Sequence, residues 1–231
     1  SSPPKNVSNT LNPMSPSSNS TLLQYQLHSS VEAFSTRRDS SLPYSIIRPH
    51  QVHGTQIAVA ERIANSLGKR PADLTREDLW GYDAIVTAVP DLAIAVRTAD
   101  CIPVLLYDTK RHAIAAIHAG WRGTVAYIVS KTISLMHSEF GTDAADIVAV
   151  IGPGIAKASF QVGEEVVQQF RDAHFPMSLI CEWQGEPVRC AASVVNPMAG
   201  GYHIDLFAAN RWVLESAGVL PQNIHTCGID T

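Results

Sequence analysis

Apolar side chains recur along this chain with two different periods, and the change of period marks where strands give way to helices. LLQYQL (22–27) and VEAFSTR (31–37) alternate or cluster apolar residues as strands do. The middle of the chain is strand-rich: QIAVA around Ala58, DAIVTA around Ile85, LAIAVRT around Ala95, CIPVLLYD around Val104 and HAIAAIHAG around Ala115. Asp108-Thr109-Lys110 separates the last two, which therefore read as a hairpin that brings Cys101 and His118 to the same end of a sheet. After Gly123 the period lengthens. Val125, Ile128, Val129, Thr132, Ile133 and Met136 predict one helix that stops before Gly141. IVAVIGPGI is a buried strand running into a Gly-Pro-Gly loop, VGEEVVQQFRDA a second helix, HIDLFAANRWVLESAG a third that ends at Gly218, and NIHTCGI a last strand. MSLICEWQGEPVRCAASVV reads as a hairpin turning at Gln184-Gly185. Strands grouped together with helices appended indicate an α+β fold without internal repeats.

Ser1–Ser20 is rich in Ser, Asn and Pro and is expected to be a disordered tail, leaving 21–231 as one domain. The sequons at Asn6 and Asn19 have no secretory context and are read as accidental. A chain of 231 residues with 45% apolar content is long enough for one sizeable core. Only 16% of residues are charged and the net charge is -4, so no basic field exists to hold nucleic acid or an anionic membrane. Cys101, Cys181, Cys190 and Cys227 are too scattered for a disulfide scaffold. Cys181 and Cys190 face each other across the expected turn but are read as free thiols. With no membrane-length apolar run and no signal-peptide pattern, a cytoplasmic protein, monomeric or weakly homo-oligomeric, is expected.

Three side chains suggest chemistry. His53 lies in QVHGT, Cys101 in TADCIPV and His118 in HAGWRG, each beside glycine or proline at an expected strand end. Alone, each is more often a packing residue; together, two imidazoles and a thiolate make a recognised catalytic zinc set with a fourth position open. Thiolate ligation favours zinc or copper over hard cations. Asp100 is the nearest candidate to orient a ligand or act as general base, although neighbouring strand residues point to opposite faces. His118 precedes the start of a helix, where an anion is stabilised and Arg122 is at hand. Arg97 is a weaker candidate, as a solvated residue on a sheet. His50, three residues from His53, falls on the opposite strand face. Glu164 and Glu165 open a helix and suit capping, as do His203 and Asp205.

QVHG, DAIVT, TADCIPVLLYD, HAGWRGT, IGPGI, FQVGEEV and the closing TC, in this order, resemble the YfiH-like family, also called the laccase-domain or multicopper polyphenol oxidase family, over roughly residues 31–231. The resemblance implies a layered α/β/β/α sandwich with mixed sheets, of the cysteine-hydrolase type. It implies a metal site at His53, Cys101 and His118, with Arg37 as an active-site anion binder. Joined to the reading of the residues, this makes Cys101, His118, Asp100 and Arg37 the expected catalytic residues and Arg37, Gln51 and Arg122 the expected substrate contacts. The activity implied is zinc-dependent purine nucleoside phosphorylase, with adenosine deaminase and methylthioadenosine phosphorylase reactions on the same site, acting on a purine nucleoside and phosphate. Cys227 matches the TC motif. The chain departs from the family where only Arg38–His50 separate FSTR from QVHG, and at Thr231, where the family continues into an FFSYR-like strand.

Three alternatives remain open. A copper-dependent polyphenol oxidase suits the donor set, but none of the nine histidines forms the H-x-H pairs of an oxygen-reducing centre. A cysteine hydrolase would use Cys101 as nucleophile and His118 as its base. A binding module without catalysis is the plainest. Deaminase chemistry of the cytidine type is disfavoured, since its paired H-x-E and P-C-x-x-C signature is incomplete: no P-C-x-x-C occurs.

Overall fold

A computed structural model describes residues 22–37, 40, 45–185 and 200–231. The expected tail, both sequons and Cys190 lie outside the described residues. The chain opens on an antiparallel hairpin, β1 (Leu22–His28) and β2 (Val31–Thr36). There follow β3 (Ile57–Val59), α1 (Ala60–Leu67), β4 (Ala84–Thr87), β5 (Ile102–Asp108), β6 (Ile114–Ala119), α2 (Trp121–Val125), α3 (Ile128–Phe140) and β7 (Ile147–Ile151). The last part holds β8 (Gln161–Val162), α4 (Glu164–Asp172), α5 (Met177–Ile180), β9 (Cys181–Gly185), β10 (Gly200–Ile204), α6 (Leu206–Ser216) and β11 (Ile224–Thr226).

The fold is α+β with several sheets. Six strands in the order β11-β7-β5-β6-β4-β3 form a mixed sheet, parallel at both ends and antiparallel between. β8, β10 and β9 form a smaller antiparallel sheet. Side chains of the large sheet alternate between two cores, as period-two geometry requires. Ala84 and Val86 join Val104, Ile117 and the apolar stripes of α3 and α6; Ile85 faces the opposite way with Ala116 and with Ala60 and Ala64 of α1.

The expected β5–β6 hairpin is present, with Ile102 opposite Ala119 and Pro103 opposite His118. Buried Asp108 secures its turn by accepting from the backbone N–H groups of Lys110 and Arg111, both at 2.9 Å. Other expectations need correction. LAIAVRT is not a strand. It makes one parallel bridge, Ile47 with Ile94, in which Ile47 N donates to Ala93 O and Ala95 N to Ile47 O. The next rung would need an N–H at Pro49, and proline has none. QIAVA is strand only to Val59; Ala60 starts a helix that ends at Gly68 in the left-handed region, φ 64°. No strand starts after Pro49, because the chain bends through His53, φ 61°. The single helix expected after Gly123 is two, broken where Tyr127 adopts φ 59°. Gln184 and Gly185 are not a turn: both belong to β9 and pair with Gly201 and Gly200. Asp205 caps α6 through Ala208 N, 2.8 Å, whereas His203 is a strand residue whose Nδ1 faces Lys157 O at 3.0 Å. Gly163, not a glutamate, caps α4; Glu164 pairs with Arg171 at 2.6 Å.

Candidate metal centre

Hydrogen-bond register brings the three ligand candidates together. β5 and β6 are antiparallel neighbours, so Cys101, just ahead of β5, lies beside the last residues of β6, where His118 stands. β4 flanks β6 on the other side, with Ala84 opposite Ile117, and Asp83 O accepts from His118 N at 2.8 Å. The bend at 52–54 precedes β3, the parallel neighbour of β4, and carries His53 to the same edge. One candidate ligand atom from each of His53, Cys101 and His118 lies within 4.8 Å of the other two. The two imidazole centroids are 4.8 Å apart and nearly perpendicular, at 75°. Burial grades across the cluster: His118 is buried, Cys101 half-buried and His53 exposed. The cluster thus has a protected floor and an open side.

Asp83, absent from the sequence reading as a site residue, holds the floor. Its buried carboxylate accepts from His118 Nδ1 at 2.8 Å, and from the backbone N–H groups of Val52, His53 and Gly54 at 3.2, 2.9 and 2.7 Å. Burial alone would raise the pKa of Asp83, but the bonds from His118 and the three amides keep it below its ordinary value. Burial also works against protonating His118, yet the Asp83 carboxylate that accepts from its Nδ1, with the neighbouring Cys101, outweighs it and lifts the imidazole to about 9. The carboxylate bonded to His118 is that of Asp83 rather than the expected Asp100. The signal was in the sequence: Asp83 is the acid that opens DAIVT, and the four residues after it are all buried, so it is placed to be drawn in with them.

Glycine shapes the rest. A Cβ on Gly120 would stand 3.0 Å from Cys101 Sγ and 3.4 Å from His53 Cδ2. A Cβ on Gly154 would meet the carbonyl oxygens of Asp100 and Cys101 at 3.1 and 3.2 Å, so the Gly-Pro-Gly loop packs directly on the bend that presents Cys101. Asp100 and Cys101 lie in that bend rather than in β5, which removes the strand alternation that would aim them apart.

The remaining candidates are less tightly drawn in. Gln51 uses both ends of its amide on one backbone residue: Nε2 donates to Arg97 O at 2.7 Å and Oε1 accepts from Arg97 N at 2.8 Å. Arg122 is exposed, with its guanidinium 4.3 Å over the Trp121 ring, two residues past Gly120. Arg37 is exposed just beyond β2. His50 stacks on Trp80 at 3.6 Å and is not part of the cluster. Cys227 is half-buried, and burial pushes its thiol up. No helix among the described residues is long and apolar enough to cross a membrane.

Two imidazoles and a thiol suit a divalent ion of borderline softness. Donors sharing a tetrahedral ion at about 2.0–2.3 Å stand roughly 3.5 Å apart, and the three donor atoms here fall within 4.8 Å of one another. The gap that Gly120 leaves beside Cys101 and His53 is consistent with such an occupant. Fold and cluster together define an α+β protein with a His-Cys-His candidate metal centre at one end of the large sheet's strands.

The chain belongs to the multi-copper polyphenol oxidoreductase laccase family, whose model matches residues 25–231. It is 43% identical over 180 residues to a purine nucleoside phosphorylase of Bacteroides thetaiotaomicron, covering 78% of this chain and 61% of the relative. It is 38% identical over 179 residues to adenosine deaminase RL5 of an unknown prokaryotic organism, covering 78% and 62%. The chain thus spans about three fifths of the length of these relatives. Among solved structures it resembles the Bacillus licheniformis hypothetical protein YfiH, with TM-score 0.65, 25% identity, and 80% and 64% of the two chains covered. A Neisseria meningitidis protein, NMB0706, shares the fold with TM-score 0.69 at 23% identity, covering 91% and 88%.

Proposed function

We propose that this chain carries the catalytic centre of a zinc-dependent purine nucleoside phosphorylase that also deaminates adenosine and cleaves methylthioadenosine. The observation that carries this reading is the convergence of His53, Cys101 and His118 within 4.8 Å, in a chain whose relatives include enzymes named for both reactions. When bound, zinc supplies a Lewis acid that acidifies water at neutral pH.

The protein's own residues do the rest. His53, Cys101 and His118 hold the ion, and the exposed side of His53 leaves access for a nucleoside. Asp100, exposed beside Cys101, takes the general acid-base role, receiving a proton from the attacking group and returning it to the leaving one. Arg122 and Arg37 supply the cationic surface that phosphate requires. Gln51, braced against Arg97, lines the approach to His53.

A single experiment tests the reading: the metal-analysed protein is assayed with inosine plus phosphate and with adenosine, before and after chelation and with His118→Ala. Expected are phosphorolysis and deamination that both disappear on chelation and return with zinc. Oxidation of a phenol at stoichiometric copper, with both nucleosides untouched, would replace this reading with the copper oxidase.

A second reading is favoured by one observation. Asp83 Oδ1 is bonded to His118 Nδ1 at 2.8 Å, and the Cys101 sulfur lies within 4.8 Å of a His118 ring nitrogen, an arrangement in which a base oriented by a third group can serve a nucleophile. A cysteine hydrolase built this way retains its activity in chelator. The zinc enzyme does not.

A further inference from the structure

The floor of the cluster contains one side chain that touches the supports of both imidazoles. Asp83 is wholly buried at the start of β4, its backbone pinned from both sides: its N donates to Gln56 O at 2.9 Å and its O accepts from His118 N at 2.8 Å. Its carboxylate is therefore fixed before any ligand arrives. Oδ1 accepts from His118 Nδ1 and His53 N; Oδ2 accepts from Val52 N and Gly54 N.

We propose that Asp83 is the positioning residue of the metal centre, setting the tautomer of His118 and the backbone turn that presents His53. The proposal rests on the metal-centre reading above. A carboxylate beside Nδ1 can only accept, so the ring proton sits on Nδ1 and the Nε2 lone pair is left for the ion. His53 takes φ 61°, a conformation that a residue with a Cβ adopts only where its surroundings impose it. Here the imposing contacts are the three consecutive N–H groups of Val52, His53 and Gly54, all gathered by Asp83. One group thus governs ligands that are 65 positions apart in sequence.

An amide cannot replace it. Each oxygen takes two donors, and asparagine offers one oxygen and one NH2. With NH2 in the place of Oδ2, the Val52 and Gly54 N–H groups face another donor. With NH2 in the place of Oδ1, the His53 N–H faces a donor, and His118 must present a bare Nδ1, which moves its proton to Nε2 and blocks the ligand position. Either way the site loses preorganisation. Asp83→Glu retains the charge but displaces it by a methylene, so it restores the centre at best in part.

The test uses zinc as the probe. Chelator competition gives zinc affinity for the unmodified protein, Asp83→Asn and Asp83→Glu. Ile133→Ala, a core change on α3, serves as a control for general destabilisation. Nitrogen NMR of the zinc-loaded, unmodified protein reads the His118 tautomer directly, so a decision is reached even if Asp83→Asn does not fold. Expected are a weakening of about 10- to 100-fold for Asp83→Asn, a smaller one for Asp83→Glu, little change for Ile133→Ala, and a proton on His118 Nδ1 with Nε2 on the metal. Zinc on Nδ1, a folded Asp83→Asn binding within twofold of the unmodified protein, or an equal loss in Ile133→Ala each overturns the proposal. If the unmodified protein takes up no zinc, the metal-centre reading falls with it; zinc uptake indifferent to Asp83 removes this inference alone.

Discussion

Gly120 lies against Cys101 so closely that a single added methyl carbon would stand 3.0 Å from the sulfur. The same carbon would be 3.4 Å from the His53 ring, so the space beside these two donors exists only because residue 120 has no side chain. Gly120 also initiates α2, its carbonyl accepting from Thr124 N at 2.8 Å, which limits how far it can retreat. Gly120→Ala is therefore expected to cost about 1–3 kcal/mol by overpacking and to displace the thiolate or the imidazole. Measured zinc affinity should fall while the far-ultraviolet circular dichroism spectrum stays the same. An alanine variant with unaltered affinity would mean that the donors do not close around an ion at this place.

Removal of the metal is the broadest prediction. Zinc held by two imidazoles and a thiolate stabilises the folded chain by mass action, because the unfolded chain lacks an assembled site. Dialysis against chelator should lower the thermal midpoint and re-addition of zinc restore it. Cys101→Ser and His118→Ala should each make the midpoint insensitive to zinc. A midpoint that ignores chelator in the unmodified protein would argue against a resident metal.

Much of this was legible in the chain itself, for physical reasons. The β5–β6 hairpin follows from two apolar runs and a short polar turn, and hairpin register alone takes Cys101 to His118. Likewise α3 presents Ile128, Val129, Thr132, Ile133 and Met136 on its buried face, as their spacing requires. What failed depended on contacts distant in sequence. LAIAVRT has the composition of a strand but loses its partner at Pro49. Ala60 begins a helix because α1 can lay Ala60 and Ala64 on the sheet, a packing no local pattern reveals. Asp100 appeared the natural orienter because it adjoins Cys101 in sequence; Asp83 is the acid that reaches His118 because β4 adjoins β6 in space.

Arg122 offers a way to separate the two proposed purine reactions. It is exposed, stacked on Trp121 and close in sequence to Gly120, so its removal leaves the core intact. Phosphorolysis needs phosphate and deamination does not. A charge-assisted contact is worth about 1.5–3 kcal/mol, so Arg122→Ala should raise the KM for phosphate by roughly ten- to a hundredfold. Deamination of adenosine, followed in the same preparation, should proceed at nearly the unmodified rate. Equal losses in both reactions would place Arg122 against the nucleoside instead of the phosphate.

The pair formed by Asp83 and His118 makes the metal-free protein sensitive to pH in a defined direction. His118 titrates near 6.5 when unfolded and at about 9 when folded. A raised pKa of a base means that the folded form binds the proton more tightly, so the stabilisation is complete below 6.5 and is lost as the pH climbs through 9. Asp83 acts at the other end: its folded pKa lies below 3.8, so its contribution is present above that value and vanishes as the solution becomes more acidic. Between these limits the raised His118 pKa, to which Asp83 and Cys101 both contribute, corresponds to on the order of 3 kcal/mol. Chelator-treated protein should therefore melt at progressively lower temperature as the pH is raised from 6.5 to 9, and His118→Ala should not share that decline. Zinc reverses the demand, because a coordinating imidazole must be neutral. The zinc-loaded protein is expected to hold its midpoint over the same interval. A metal-free midpoint that stays level across that interval would show that Asp83 does not keep the His118 ring charged.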